Sequence, residues 1–203
     1  MKYIFVTFLT ICIVSLTGQS ASAEKISSLR SGNWKGGAYT NNNTGRFSHC
    51  AASVKYKSGI LLLFSVTNKR RWNMGLSNNE WNLTPKKKYP VEYRVDRGGY
   101  FEGTAIAKSR GLVQVFLPTS DRLFRQFKNG RRLSVWAARQ KMNFALTGTR
   151  TMLAKLLNCA NFYIKRERRS RGRDNPFERN KTNPFEGNPS GPVKKKNANP
   201  FEA

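Results

Sequence analysis

His49 and Cys50 are adjacent, and a thiol beside an imidazole is the raw material of a nucleophile–base pair. On a strand, however, neighbouring side chains point to opposite faces. The run FSHCAASVKYKSG alternates, with Cys50, Ala52, Val54 and Tyr56 on one face and His49, Ser53, Lys55 and Lys57 on the other. The pair therefore diverges and cannot exchange a proton from within that strand. The single histidine also excludes a His-Glu-x-x-His zinc arrangement, and neither Gly-x-Ser-x-Gly nor a phosphate-cradling Gly-x-x-x-x-Gly-Lys-Ser/Thr occurs. Between residues 24 and 162 the carboxylates are Glu24, Glu80, Glu92, Asp96, Glu102 and Asp121. Glu92, Asp96 and Glu102 fall on neighbouring strand signals, and a glycosidase flanks its cleft with two such groups. Among so many Lys and Arg, ion pairing is the simpler reading. We expect no enzyme, no cofactor and no metal site.

Cations are the dominant chemical resource. Lys and Arg number 37 against 11 Asp and Glu, a formal charge of +26. Residues 24–162 hold 25 basic and 6 acidic side chains, a net +19, so the excess does not come from the C-terminal segment alone. Three clusters interleave with aromatics: Lys69, Arg70 and Arg71 before Trp72; Lys86, Lys87 and Lys88 before Tyr89; and Arg131 and Arg132 ahead of Trp136. Cations beside aromatic platforms suit sugars or single-stranded nucleic acid. Trp72, Trp81 and Trp136 serve equally well as core residues flanked by solvated charge. These eight cations are the expected polyanion-binding set, and an anionic envelope or host surface is the expected partner.

That choice of partner follows from an export signal. Lys2 precedes the apolar run Tyr3–Leu16, and Ala21-Ser22-Ala23 is a small-x-small cleavage site. Residues 1–23 are thus expected to be a signal peptide, leaving a secreted or periplasmic chain with no transmembrane segment. Cys12 departs with it. Cys50 and Cys159 remain, an even pair in an oxidising compartment, and are expected to form a disulfide.

The elements that must position these residues are mostly strands. After the first strand, Lys57-Ser58-Gly59 turns into ILLLFSV. RWNMGL, YPVEYRV, YFEGTAIAK, LVQVFL, RLSVWAA and KMNFAL carry further strand signals. TSDRLFRQFKNG reads as a helix with Ser120 as N-cap and Asn129-Gly130 as stop. In TGTRTMLAKLLNCANFY, Leu153, Leu156, Leu157 and Ala160 form a helical stripe, with Cys159 at its edge. The expected fold is α+β: a mostly antiparallel sheet with two helices in the C-terminal half on one face, spanning 24–164. Residues 165–203 lack periodicity and are expected to be a disordered tail.

That tail repeats Asn-Pro-Phe-Glu three times, at Asn175, Pro176 and Phe177, at Asn183, Pro184 and Phe185, and at Asn199, Pro200 and Phe201. Asn starts a turn and Pro fixes the next φ, so each copy shows one Phe at low ordering cost. The motif resembles the ligand of EH domains, eukaryotic endocytic modules that seat such a turn in a pocket; some with basic surfaces favour an acidic residue after Phe, where Glu178, Glu186 and Glu202 stand. Three copies permit avidity.

The motifs GNWKGGAY, FSHCAAS, WNMGLSNNEWNL and FALTGTRTMLAKLLNCA resemble an uncharacterised secreted domain of Gram-negative bacteria, over roughly residues 32–160. That domain occurs alone or attached to other exported modules. The resemblance implies export and brings no activity with it. Two function classes follow: a non-enzymatic secreted interaction protein with a multivalent docking tail, and an envelope polyanion- or polysaccharide-binding factor whose tail is a spacer.

Overall fold

The structure is a computed structural model and describes residues 23–174; the body of the signal segment and all three Asn-Pro-Phe-Glu repeats lie outside the described residues. Ten strands form one antiparallel sheet: β1 (Leu29–Ser31), β2 (Trp34–Thr40), β3 (Phe47–Lys55), β4 (Leu61–Thr67), β5 (Trp72–Ser77), β6 (Lys88–Val95), β7 (Phe101–Ser109), β8 (Leu112–Phe116), β9 (Arg132–Ala137) and β10 (Gln140–Ala145). Their order is β1-β2-β3-β4-β5-β8-β7-β6-β9-β10. Helix α1 (Asp121–Asn129) connects β8 to β9, and α2 (Thr149–Asp174) follows β10.

Alternation places the interior side chains of β4, β6 and β9. Leu62, Phe64 and Val66 on β4, Val91, Tyr93 and Val95 on β6, and Leu133 and Val135 on β9 are all buried. Contacts between strands distant in the order show that the sheet rolls around this interior. Phe127 of α1 packs its ring edge-on to Phe64 of β4 at 4.9 Å and lies 6.4 Å from Tyr93 of β6. Beyond β10, the Thr147 carbonyl accepts from the Trp34 indole N–H of β2 at 3.0 Å. The Tyr56 hydroxyl at the end of β3 donates to the Ala145 carbonyl, and its ring meets Phe144 of β10 edge-on at 5.1 Å.

Both helices pack on the inner side. Ser120 caps α1, its hydroxyl accepting from the Leu123 N–H at 3.2 Å, and Leu123 and Phe127 are the buried face. Helix α2 lies along β1 to β4 and against α1, burying Met152, Leu153, Leu156, Ala160 and Ile164. Cys159 on α2 is bonded to Cys50 on β3, with Cα atoms 6.2 Å apart. Bridging 109 residues of sequence restricts the unfolded chain strongly.

The α+β expectation is corrected. A single ten-stranded antiparallel sheet carries the fold, and the two helices are additions to it rather than a second layer of equal weight. Strands that the sequence conceals account for the difference. Strand β2, on which β1 pairs, contains Gly36 and Gly37, which make the sequence read poorly as strand. It forms because the backbones come very close: a Cβ on Gly36 would fall 1.9 Å from the Ala51 carbonyl oxygen, so only glycine fits. At the other end, residues 165–174, assigned from the sequence to the disordered tail, are helical in α2. A helix already nucleated propagates at low cost, and Glu167 fastens this extension by accepting the Phe47 N–H at 2.6 Å.

Candidate functional site

The three basic clusters read from the sequence do not converge on one site. Lys69, Arg70 and Arg71 occupy the β4–β5 turn. Arg70 donates through Nε to Asn161 Oδ1 of α2 at 3.2 Å, and Arg71 lies over Phe116 at 6.0 Å. Lys86, Lys87 and Lys88 enter β6 at the opposite end, where the Lys87 ammonium sits 5.6 Å from the Tyr89 ring centroid. Arg131 and Arg132 open β9, and their backbone N–H groups are held by the Asp96 carboxylate at 2.8 to 3.1 Å. All eight are exposed or partly exposed. Arg122, Arg125 and Lys128 on the exposed side of α1 add to the charge between the first cluster and the third.

A denser cluster assembles on the outer face of β6, β9 and β10, and linear spacing does not reveal it. Trp136 of β9 is flanked in register by Glu92 of β6 and Lys141 of β10. Lys141 Nζ lies 5.1 Å from the Trp136 ring centroid. The Arg94 guanidinium of β6 lies 5.4 Å from the same ring and 4.7 Å from the ring of Tyr100. The two rings are 5.4 Å apart. Two rows result across the sheet: Glu102, Glu92, Trp136 and Lys141; and Arg94, Ser134 and Asn143, with Tyr100 beside Arg94.

The patch combines aromatic faces, cations and acceptors. Tyr100 is 55% exposed and Trp136 is half-buried. Aromatic faces stack against sugar rings and attract cations through their quadrupole. Arg94 Nε has no hydrogen-bond partner within the protein. Ser134 donates its hydroxyl to Asn143 Oδ1 at 2.7 Å, which orients that amide. Glu92, Glu102 and Asn143 are exposed acceptors suited to hydroxyl groups. The patch thus offers two rings, two cations and several acceptors on rigid strands. Sequence reasoning singled out Trp136 but paired it with Arg131 and Arg132 of its own strand. Its cations come instead from the neighbouring strands.

His49 and Cys50 face opposite sides of β3, as alternation requires. Cys50 is fully buried in the disulfide, while the His49 ring stacks on Tyr39 at 5.1 Å and burial lowers its pKa. Among the described residues, no group of three or more His, Cys, Asp or Glu side chains is placed to hold a metal ion. Among them, too, no helix is long and apolar enough to cross a membrane.

No family model matches the chain, and no curated protein matches it. Among solved structures, the crystal structure of invasion associated protein B from Bartonella henselae is similar over 65% of this chain and 95% of that chain, with 14% identity and a TM-score of 0.47. At those values the likeness transfers no activity to this chain.

Proposed function

We propose that this protein is an exported, non-enzymatic binding protein whose rolled sheet holds an acidic polysaccharide of an envelope or host surface, while its repeated tail docks a protein partner. The disulfide is compatible with an extracytoplasmic location, since such bonds persist in oxidising compartments. The sequence resemblance to a secreted Gram-negative domain agrees with it.

The observation that carries the binding reading is the cross-strand group of Tyr100, Arg94, Trp136 and Lys141. Rings and cations together select a sugar that also bears carboxylate or sulfate. The net +19 of residues 24–162 adds a long-range attraction for the same ligands. The test is binding of the mature chain to an acidic polysaccharide such as heparin, beside a neutral dextran of similar length. Affinity for the acidic chain should fall steeply with salt, because cations released from the polymer drive association. Equal affinity for dextran, or salt-independent retention, refutes the reading.

The docking role of the tail is supported by the end of α2. Ile164 is the last buried residue among those whose burial is described, and the helix runs ten residues beyond it to Asp174, directly before the first repeat. At about 1.5 Å per residue such an extension spans roughly 15 Å. Replacing Phe177, Phe185 and Phe201 together by Ala should abolish capture of the partner, an EH-like module being the first candidate. The melting temperature of the domain should not move. A triple variant that retains every partner refutes this part alone.

A further inference from the structure

The rolled sheet has an open end, and its interior there is not filled. A cavity of about 360 Å³ is bordered by Leu76, Val91, Ala105, Val113 and Val115 from the inner face, and by Trp81, Leu83, Tyr89 and Met142 at the entrance. Its origin is legible in β7. Phe101, Gly103, Ala105 and Ala107 point inward from that strand, and of these Ala105 borders the cavity, between Tyr89 of β6 and Val115 of β8. The short Ala105 side chain leaves room that the β5–β6 loop only partly covers with Trp81 and Leu83. The volume falls within the roughly 300–1,000 Å³ of ligand pockets, and the lining has their predominantly apolar character.

The polar groups all stand at the entrance. Glu80, Asn82 and Gln140 border it, and the Lys87 ammonium lies over the ring of Tyr89, itself a wall residue. Arg139 forms the tip of the β9–β10 turn between Ala138 and Gln140, both of which border the opening. Ala138 and Arg139 adopt φ of +48° and +63°, a left-handed conformation that glycine or asparagine usually fills. A strained turn kept at the rim of a cavity is a common companion of a binding site.

From this arrangement we infer that the open end of the sheet binds one single-chain fatty acid, its hydrocarbon tail inside against Ala105, Val113 and Val115 and its carboxylate at the rim beside Lys87. The interior offers no polar partner, so a charged head must stay at the entrance. There Lys87 and Arg139 oppose Glu80, and the field of the whole domain favours an anion. A site of this kind is separate from the Trp136 face, which lies on the outer side of the same sheet.

The test is calorimetric titration of the mature full-length chain with saturated fatty acids of increasing length, beside dodecanol and dodecyltrimethylammonium. One equivalent should bind, and each added methylene should tighten binding about fourfold until the cavity is full. The cationic amphiphile should bind weakest. Lys87→Glu, an exposed substitution that leaves the core untouched, should weaken the fatty acid about fivefold and leave dodecanol unchanged. Ala105→Leu, which fills the cavity, should remove binding of both. Binding of many equivalents, no dependence on chain length, or indifference to both substitutions overturns the inference, the fatty acid then adsorbing elsewhere on the basic surface. Heparin affinity should survive Ala105→Leu, which separates this site from the polysaccharide face.

Discussion

The two halves of the sheet are built for different ends. From β1 to β4 the inner face is sealed by α2, and the Cys50–Cys159 bond ties helix to strand at a fully buried position. The interior there is large and complementary, with Trp34, Phe64, Met152, Leu153 and Leu156 all nearly inaccessible. From β6 to β10 no helix of comparable length among the described residues covers the sheet. The outer face displays Tyr100 and Trp136 with their cations, and the inner face carries small residues beside an open cavity. Packing closes one half and leaves the other with unspent surface. A rigid half allows the other to keep exposed rings, an unfilled cavity and a strained turn without losing the fold.

The contrast can be broken from either side, and the largest effect should come from the sealed half. Replacing Cys50 and Cys159 together by Ser should cost on the order of 2–5 kcal/mol, read as a lower urea midpoint. Under conditions where the variant remains folded, heparin affinity should be unchanged. A simultaneous loss of affinity would mean that the halves are coupled rather than specialised.

Substitution in the open half should do the reverse. Trp136→Ala should lower affinity for an acidic polysaccharide about tenfold or more, by the usual worth of an aromatic platform. Stability should change by less than about 1 kcal/mol, since Trp136 stands on the outer face. Arg94→Ala should weaken acidic ligands and reduce the salt dependence, whereas it should leave neutral sugars alone. A large fall in melting temperature for Trp136→Ala would make that ring a packing element.

Tyr93 sharpens the comparison because it stands in the middle of the open half, stacked on Phe101 and near the Phe127 ring that also meets Phe64 of β4, with a buried hydroxyl that has no partner among the described residues. Tyr93→Phe removes an unsatisfied group and should be neutral or stabilising by up to about 1 kcal/mol. Burial pushes its pKa from 10 up to about 12, and that of Tyr56 likewise. The unfolded chain therefore ionises first. This contribution to stability is complete below pH 10 and is lost as pH rises toward 12. Tyr93→Phe should flatten that alkaline loss, as followed by urea titration at several pH values.

The smallest effect belongs to His49. Burial lowers its pKa from 6.5, so the unfolded chain takes up a proton first as pH falls. Stability contributed by the neutral ring is present above pH 6.5 and declines below it, toward the lower folded pKa. His49→Gln should reduce the difference in melting temperature between pH 7 and pH 5. An unchanged difference would assign the acid sensitivity to other groups.

Much of this could be read from the residues alone. Alternation in CAASV and VEYRV decided which side chains enter the interior, because the strand period of two leaves no choice once one face is apolar, whereas Phe47 is buried out of phase where the β2–β3 register shifts. The same parity separated His49 from Cys50 and sent Cys50 inward to meet Cys159. Ser120, with a short polar side chain before an amphipathic run, fixed the start of α1. These are local rules, and they held locally.

What tertiary structure decided depends on chain segments that are remote in sequence. Gly36 and Gly37 read as strand breakers until β3 approaches closely enough to require them. The charged residues after Ile164 carry no apolar stripe, yet they stay helical as a continuation of a helix already held by the sheet, with Glu167 pinned to the Phe47 N–H. Trp136 acquires Arg94 and Lys141 only because β6 and β10 flank β9, a neighbourhood set by register rather than spacing. Composition and alternation could determine the charge and most of the inward faces. Which cation meets which ring, and where the interior stays empty, required the roll of the whole sheet, because those distances are set by long-range pairing that no short stretch of sequence encodes.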